Sequence, residues 1–168
     1  MIRSAKIMLL GDIAVGKTSL ARRLVFDRFD ADYKTTIGVN VLSHDIRVED
    51  GDDGLLRLVV WDTDGDFSHA IFNTTYVVGA SAAIVVADAS RPATIEQMAG
   101  IVDAFETRFP GRPVAAVLNK IDLAPEGGAP PQPASLARRR LVRASALSGE
   151  GVVEMFMDIA RAIRRRGL

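Results

Sequence analysis

The chain of 168 residues contains no cysteine. This absence excludes disulfide bonds, thiolate catalysis and metal sites built on cysteine ligands. It also removes the residue that accepts prenyl and palmitoyl groups, and Ile2 stands where myristoylation needs a glycine. We therefore expect no lipid anchor in this chain.

The chain also lacks a long apolar run and an excess of charge of either sign. No apolar stretch approaches the ~20 residues that cross a bilayer, and no signal-peptide core precedes the first predicted strand. Lys+Arg and Asp+Glu both number 21, so the charge balance gives no reason to expect nucleic acid as a partner. We expect a soluble, cytoplasmic monomer.

What is present is the composition of one folded domain. Apolar residues make up 48% of the chain and charged residues 25%, which is typical of globular proteins. A chain of this length can bury a substantial core, but it is too short for two ordinary domains. We treat residues 1–168 as a single domain.

The hydrophobic pattern predicts strands that alternate with helices. Strands are expected at residues 5–10, 39–48, 55–61, 82–87, 114–118 and 140–144. Helices are expected at 16–26, 94–108 and 152–166, with a short helix ending near residue 79. The second helix is expected to start at Thr94, because Gln97 completes a capping pattern. A hairpin turn at 50–54 joins the second and third strands, which predicts an α/β fold with a mostly parallel sheet and helices on both faces.

The sequence GDIAVGKT at residues 11–18 matches the phosphate-binding loop G-x-x-x-x-G-K-T, and it stands between a predicted strand and a predicted helix. The glycines let successive backbone N–H groups point inward, where the helix start adds its positive dipole end. Lys17 can then reach the β- and γ-phosphates, and the Thr18 hydroxyl can ligate magnesium. The motif predicts a nucleotide site that uses Asp12, Ile13, Ala14, Val15, Gly16, Lys17, Thr18 and Ser19.

The sequence DTDG at residues 62–65 follows the third predicted strand. A carboxylate at a strand tip beside a phosphate loop is an expected partner of magnesium, which indicates this role for Asp62. Gly65 permits its N–H to come close to a γ-phosphate. By itself this pattern is also typical of an ordinary turn, and its significance depends on the phosphate loop.

The sequence NKID at residues 119–122 follows the fifth predicted strand and indicates guanine as the base. The Asp122 carboxylate can accept two N–H bonds from guanine, whereas adenine would leave it unpaired. The Asn119 amide can tie neighbouring loops together, and the stem of Lys120 can cover the base. A backbone N–H for the guanine carbonyl is expected from the group Ser145, Ala146 and Leu147.

Together with YKTTIGV at 33–39 and WDT at 61–63, these motifs resemble the Ras superfamily of small GTPases, most closely the Rab branch, over residues 4–168. The resemblance implies a P-loop NTPase G domain with a six-stranded, mostly parallel sheet and one antiparallel edge strand. It implies GTP/GDP and Mg²⁺ as ligands and a GTPase that converts GTP to GDP and phosphate. It also implies effector, exchange-factor or activating proteins that bind through switch segments 28–39 and 64–78.

The resemblance assigns further residues to the site. Thr36 is similar to the switch threonine that ligates magnesium when the γ-phosphate is present, so the expected metal set is Thr18, Thr36 and Asp62. Phe29 is similar to the aromatic residue that packs on guanine, and Tyr33 to the switch tyrosine over the phosphates. The catalytic set is Lys17, Thr36 and Asp66.

Several departures from the family pattern fall on the phosphate side. Asp66 stands where the family usually has the glutamine that orients the attacking water, and Ile13 replaces a small residue near the entry of an arginine finger. Asp64 and Phe67 replace the alanine and glutamate of Rab-like proteins. We expect slow hydrolysis. Neutral drift in a tolerant loop is one alternative, and a GTP-binding interaction module with negligible hydrolysis is another, whereas residues 119–122 disfavour an ATP-using enzyme.

Overall fold

The computed structural model describes residues 3–32, 35–48, 54–65, 70–124 and 132–167. Within them, six strands form one sheet in the order β2-β3-β1-β4-β5-β6. The strands are β1 Arg3–Gly11, β2 Val39–Arg47, β3 Leu55–Thr63, β4 Ala82–Asp88, β5 Val114–Asn119 and β6 Leu141–Arg143. The edge strand β2 runs antiparallel to β3, and every other neighbouring pair is parallel. The predicted fold class is therefore confirmed.

The burial of each strand follows from its place in the sheet. All seven residues of the central strand β4 are buried, which explains its continuous apolar sequence. Strand β2 lies at the edge and alternates instead, with Ile46 buried and Val41 exposed. The N–H of Val48 donates to Gly54 O at 2.6 Å and closes the predicted hairpin, of which residues 50–53 lie outside the described residues.

Three α-helices in the described residues cover the two faces of the sheet: α1 Lys17–Phe26, α2 Pro92–Arg108 and α3 Val152–Arg165. Because successive side chains of a strand point to opposite faces, Ile7 and Leu9 pack in the core beneath α1 and α3, whereas Met8 and Leu10 pack beneath α2. No helix in the described part of the chain has both the length and the apolar character of a membrane span.

Two predicted helix features differ in the structure. Helix α2 begins at Pro92, since proline has the fixed φ of a first helical turn, and the Thr94 hydroxyl instead donates to Arg91 O at 2.7 Å and accepts from the Asp88 N–H at 2.9 Å. The prediction of one short helix ending near residue 79 is wrong in the type of structure. The described residues there form two 3₁₀ turns, Ala70–Asn73 and Thr75–Val77, in a segment whose β-branched residues disfavour a helix.

The sheet brings the sequence motifs to one edge. The phosphate loop follows β1, the D-x-x-G residues 62–65 end β3 and continue beyond it, and the N-K-x-D residues start at the end of β5. Since these strands are parallel, their carboxyl ends meet at the same edge, which is where open α/β sheets bind ligands.

Replacement of Phe156 by alanine should destabilise the fold. Phe156 is fully buried between α3 and the sheet, and such a truncation costs about 3–5 kcal/mol because it leaves a cavity. The measurement is the urea midpoint at fixed GDP and Mg²⁺ concentrations, since ligands shift apparent stability. Val153→Ala on the exposed side of the same helix is the matched control, and a loss below about 1 kcal/mol for Phe156→Ala would contradict the packing described.

Candidate functional site

A cleft of about 930 Å³ runs along the carboxyl edge of the sheet, a volume suited to a small-molecule ligand. Its walls come from the phosphate loop, the start of α1, the segment after α1, and the loops that follow β3, β5 and β6. The predicted site residues that line it are Ile13, Ala14, Gly16, Lys17, Thr18, Ser19, Phe29, Thr36, Gly65, Asn119, Lys120, Asp122, Ala146 and Leu147. The structure thus brings together residues that are far apart in the sequence.

Some predicted site residues lie elsewhere. Asp12 does not line the cleft, and Val15, Asp62 and Ser145 are fully buried behind its wall. Tyr33 and Asp66 lie outside the described residues, as do parts of the predicted switch segments 28–39 and 64–78. The binding and catalytic roles assigned from the sequence stay predictions.

The conformation of the phosphate loop depends on its two motif glycines. Gly11 and Gly16 have φ angles of +143° and +96°, which side chains rarely allow. A Cβ at Gly11 would lie 2.3 Å from Val86 O of β4, and one at Gly16 would lie 2.2 Å from Asn119 Nδ2. Glycine is therefore required at both positions, because another part of the site occupies the space of a side chain.

Lys17 is a buried cation at the centre of the site. Its Nζ donates to Gly11 O at 2.8 Å and to Asp12 O at 2.7 Å. Burial lowers the pKa of Lys17 to about 8, and the carboxylates of Asp62, Asp12 and Asp64 oppose the fall. A charged amine in this position can interact strongly with an anionic ligand, because the surroundings screen it less than water does.

The three predicted metal residues converge. Thr18 Oγ1 donates to Asp62 Oδ2 at 2.6 Å and lies 2.7 Å from Thr36 Oγ1. Asp62 Oδ1 is buried and has no hydrogen-bond partner among the described residues. Burial raises the pKa of Asp62, while the hydrogen bond from Thr18 and the charge of Lys17 oppose the rise. Hydroxyl and carboxylate oxygens are the ligands that Mg²⁺ prefers, so this donor set fits a magnesium ion.

The far end of the cleft is held together by Asn119. Its Nδ2 donates to Val15 O at 3.0 Å, and its Oδ1 accepts from the Ala146 N–H at 3.1 Å. The side chain therefore joins the phosphate loop to the loop after β6, the tie that the sequence predicted. The Ser145 N–H donates to Glu150 O at 2.9 Å, whereas the Leu147 N–H has no acceptor among the described residues.

A carboxylate and apolar side chains stand together at this end. Asp122 is exposed, and it accepts a hydrogen bond of 2.6 Å from the hydroxyl of buried Ser145, which fixes its orientation. Phe29, Leu123 and Leu147 line the same part of the cleft with partly exposed apolar surface. A planar heterocycle with adjacent N–H donors on one edge is complementary to this combination.

Sequence reasoning missed two charged residues at the end of β4 and in the loop that follows it. Asp88 is buried, and its Oδ2 accepts from Lys120 Nζ at 2.8 Å. Burial would raise the pKa of Asp88, but hydrogen bonds from Lys120 and Ser90 outweigh this effect and hold the pKa below its usual value. Arg91 donates through Nη1 to Ile13 O at 3.1 Å. The position of Asp88 at the end of an apolar strand could have indicated a site residue. No neighbouring sequence feature indicated a role for Arg91.

Comparisons with known proteins cover most of the chain. The Ras family model matches residues 6–165. The GTP-binding protein ypt5 of Schizosaccharomyces pombe is 33% identical over 164 residues, which are 94% of this chain and 77% of that protein. The GTP-binding nuclear protein GSP1 of Encephalitozoon cuniculi is 33% identical over 119 residues, which are 70% of this chain and 55% of that protein.

Proposed function

We propose, since this chain belongs to the Ras family and is a Rab-like small GTPase, that it is a molecular switch that binds GTP and GDP with Mg²⁺ and hydrolyses GTP slowly. One observation supports this function above the others. A single cleft extends from Lys17 and Thr18 at one end to Asp122 at the other, so one ligand that carries phosphates and a base can meet both motifs.

Guanine selectivity rests on Asp122 and its surroundings. The carboxylate can accept from the ring N–H and the exocyclic amine of guanine, and the hydrogen bond from Ser145 aligns it. Adenine has an acceptor where guanine has the ring N–H, so it would leave the carboxylate unpaired and repelled. Phe29 and the stem of Lys120 supply surface for the faces of the base, and the Leu147 N–H is the best available donor to its carbonyl.

Phosphate binding rests on the phosphate loop and on Lys17. The backbone N–H groups and the start of α1 favour anionic oxygens, and Lys17 adds a full positive charge that little water screens. Thr18, Thr36 and Asp62 are the residues that would hold Mg²⁺. When bound, this ion supplies neutralisation of phosphate charge.

In this proposal, two segments of the chain contact the γ-phosphate. Thr36 belongs to the first switch segment and Gly65 to the second. A Cβ at Gly65 would lie 2.4 Å from the N atom of Ile13, so the backbone of this loop packs directly on the phosphate loop. This packing places the Gly65 N–H near the phosphate site, and we expect both segments to be ordered by contacts with the γ-phosphate and released when it is lost, as in other order–disorder switches.

Slow hydrolysis follows from the chemistry of Asp66. The attack of water on the γ-phosphorus, with cleavage of the bond to the bridging oxygen, needs a positioned water and stabilisation of negative charge. A glutamine amide can accept from the water and donate to a phosphoryl oxygen. An ionised Asp66 can only accept, and it adds negative charge to an anionic site. Ile13 would further hinder an arginine finger from outside.

A second candidate function is a GTP-binding interaction module with negligible hydrolysis. The same two residues, Asp66 and Ile13, favour it, because their joint effect could stop the reaction rather than slow it. Both candidates use the switch segments as the partner surface, where Ile37 and Val78 are exposed apolar side chains, and exposed Val41 of β2 follows the first segment. Ras-family proteins generally bind regulators and effectors, and we propose the same surface here, on a monomer.

The first prediction concerns the base. GTP and GDP should bind far more tightly than ATP, and Asp122→Asn should shift the preference toward xanthine nucleotides, because the amide offers a donor where the carboxylate accepted. Competition titrations against a fluorescent GDP measure both effects. Asp158→Asn, on the exposed side of α3, is the control. Comparable affinities for ATP and GTP in the unmodified protein would overturn guanine recognition.

The second prediction concerns hydrolysis. Asp66→Gln should accelerate single-turnover GTP hydrolysis about tenfold, equivalent to ~1.4 kcal/mol on the barrier. The control is Asp103→Gln, at an exposed position of α2, which should leave the rate unchanged. A tenfold slower Asp66→Gln would identify the carboxylate as the working catalytic group. A reaction too slow to detect in both the unmodified protein and Asp66→Gln would favour the interaction module.

The third prediction concerns the switch. Amide hydrogen exchange in segments 28–39 and 64–78 should slow with a non-hydrolysable GTP analogue relative to GDP, because both segments would close over the γ-phosphate. Helix α3 is the internal reference, since none of its residues lines the cleft. Equal protection of the two segments with both nucleotides would argue against a nucleotide-driven switch.

A further inference from the structure

The carbonyl groups of the phosphate loop accept hydrogen bonds from side chains. Five consecutive carbonyls, from Gly11 to Val15, each accept a side-chain hydrogen bond of 2.7–3.1 Å. The donors, in order along the loop, are Lys17, Lys17, Arg91, Lys120 and Asn119. Lys17, Lys120 and Asn119 belong to the sequence motifs. Arg91 does not, yet it holds the central carbonyl, that of Ile13.

These hydrogen bonds determine where the N–H groups point. A peptide unit is planar, and its N–H points away from its C=O. A donor that holds the Ile13 carbonyl toward the outside of the loop therefore turns the Ala14 N–H toward the inside. The phosphate-binding ability of the loop lies in these inward N–H groups.

The residue between the two central peptides is under backbone strain. Ala14 has a φ of +60°, a left-handed conformation that its Cβ disfavours. The peptide before Ala14 carries the Ile13 carbonyl, held by Arg91, and the peptide after it carries the Ala14 carbonyl, held by Lys120 at 2.7 Å. Holding both flanking peptides fixes the conformation of Ala14.

Arg91 is itself well anchored for this purpose. Its backbone N–H donates to Asp88 O at 3.0 Å, and its backbone carbonyl accepts from the N–H and the hydroxyl of Thr94. Its guanidinium also forms an ion pair of 3.4 Å with Asp12, and the other oxygen of that carboxylate accepts from the Ile13 N–H at 2.7 Å. Arg91 thus contacts both the backbone and a side chain of the loop from a rigid position at the start of α2.

We propose that Arg91 is a positioning residue that holds Ala14 in its left-handed conformation and so keeps the loop N–H groups directed at the phosphates of the bound nucleotide. The proposal rests on the function proposed above and adds a residue to the same site. Arg91 does not touch the nucleotide in this role. It slows nucleotide release by keeping the loop in its binding conformation.

The test measures the release of a fluorescent GDP from the full chain in the presence of Mg²⁺. Arg91→Ala should raise the dissociation rate about fivefold to tenfold, and Arg91→Lys, which keeps one donor for the Ile13 carbonyl, should stay within about twofold of the unmodified protein. Arg161→Ala is the matched control, because Arg161 has nearly the same exposure as Arg91 and also an ion pair of 3.4 Å. Should Arg91→Ala fail to fold, Arg91→Met, which keeps an unbranched stem but has no N–H donor, replaces it.

The Ala14→Gly background separates positioning from a merely structural effect. Glycine reaches positive φ without a steric penalty, so in this background Arg91→Ala should accelerate release by less than twofold. The same fivefold to tenfold acceleration in the Ala14→Gly background, or an equal acceleration by Arg161→Ala, would overturn the proposal. An unchanged GDP release rate for Arg91→Ala, in a protein that binds GDP tightly, would also overturn the proposal. An unmodified chain that fails to bind GDP would instead remove the proposed function itself.

Discussion

The site depends on how closely the loops at the carboxyl edge approach one another. At Gly16 the Asn119 amide occupies the space of a Cβ, and at Gly65 the backbone of Ile13 does so. A larger residue at Gly65 would separate the loops after β1 and β3, and one at Gly16 would displace the Asn119 amide that joins the end of β5 to the phosphate loop. Nucleotide recognition requires all three loops to face one ligand. The lack of a side chain at Gly16 and at Gly65 is therefore as important to the site as the side chains that bind the ligand.

The sheet makes this close approach possible because it is packed on both faces. Alternate residues of β1 enter two different cores, one beneath α1 and α3 and the other beneath α2. The strand ends therefore have little freedom to move, since close-packed cores resist displacement. The described residues of the first switch segment belong to neither core, and Ile37 among them is 89% exposed. A rigid edge beside a weakly packed segment is the arrangement that a ligand-controlled switch requires.

The sequence predicted those features that have a local signal. Apolar runs and, for β2, alternating residues indicated the strands, and fixed spacings located the loops at residues 11–18, 62–65 and 119–122. Features set by distant contacts were missed or wrong. Thr94 matched a capping pattern, yet the loop after β4 offered its hydroxyl other partners. Arg91 carried no signal, because its acceptor, the Ile13 carbonyl, is 78 residues away in the chain and is a backbone atom. Backbone acceptors leave no trace in side-chain identity.

Three carboxylates at this edge show how position determines what one side-chain type can do. Asp88 is buried but has an ion pair with Lys120, so its charge is already compensated and it serves to hold the loops. Asp62 is equally buried and keeps one oxygen without a hydrogen bond among the described residues, an arrangement that a bound cation would stabilise. Asp122 is exposed and fixed by a single hydroxyl, so its remaining lone pairs face the cleft. Burial and partners therefore distinguish the three carboxylates in the way that the proposed roles in structure, metal binding and base binding require, although the sequence shows only three aspartates near strand ends.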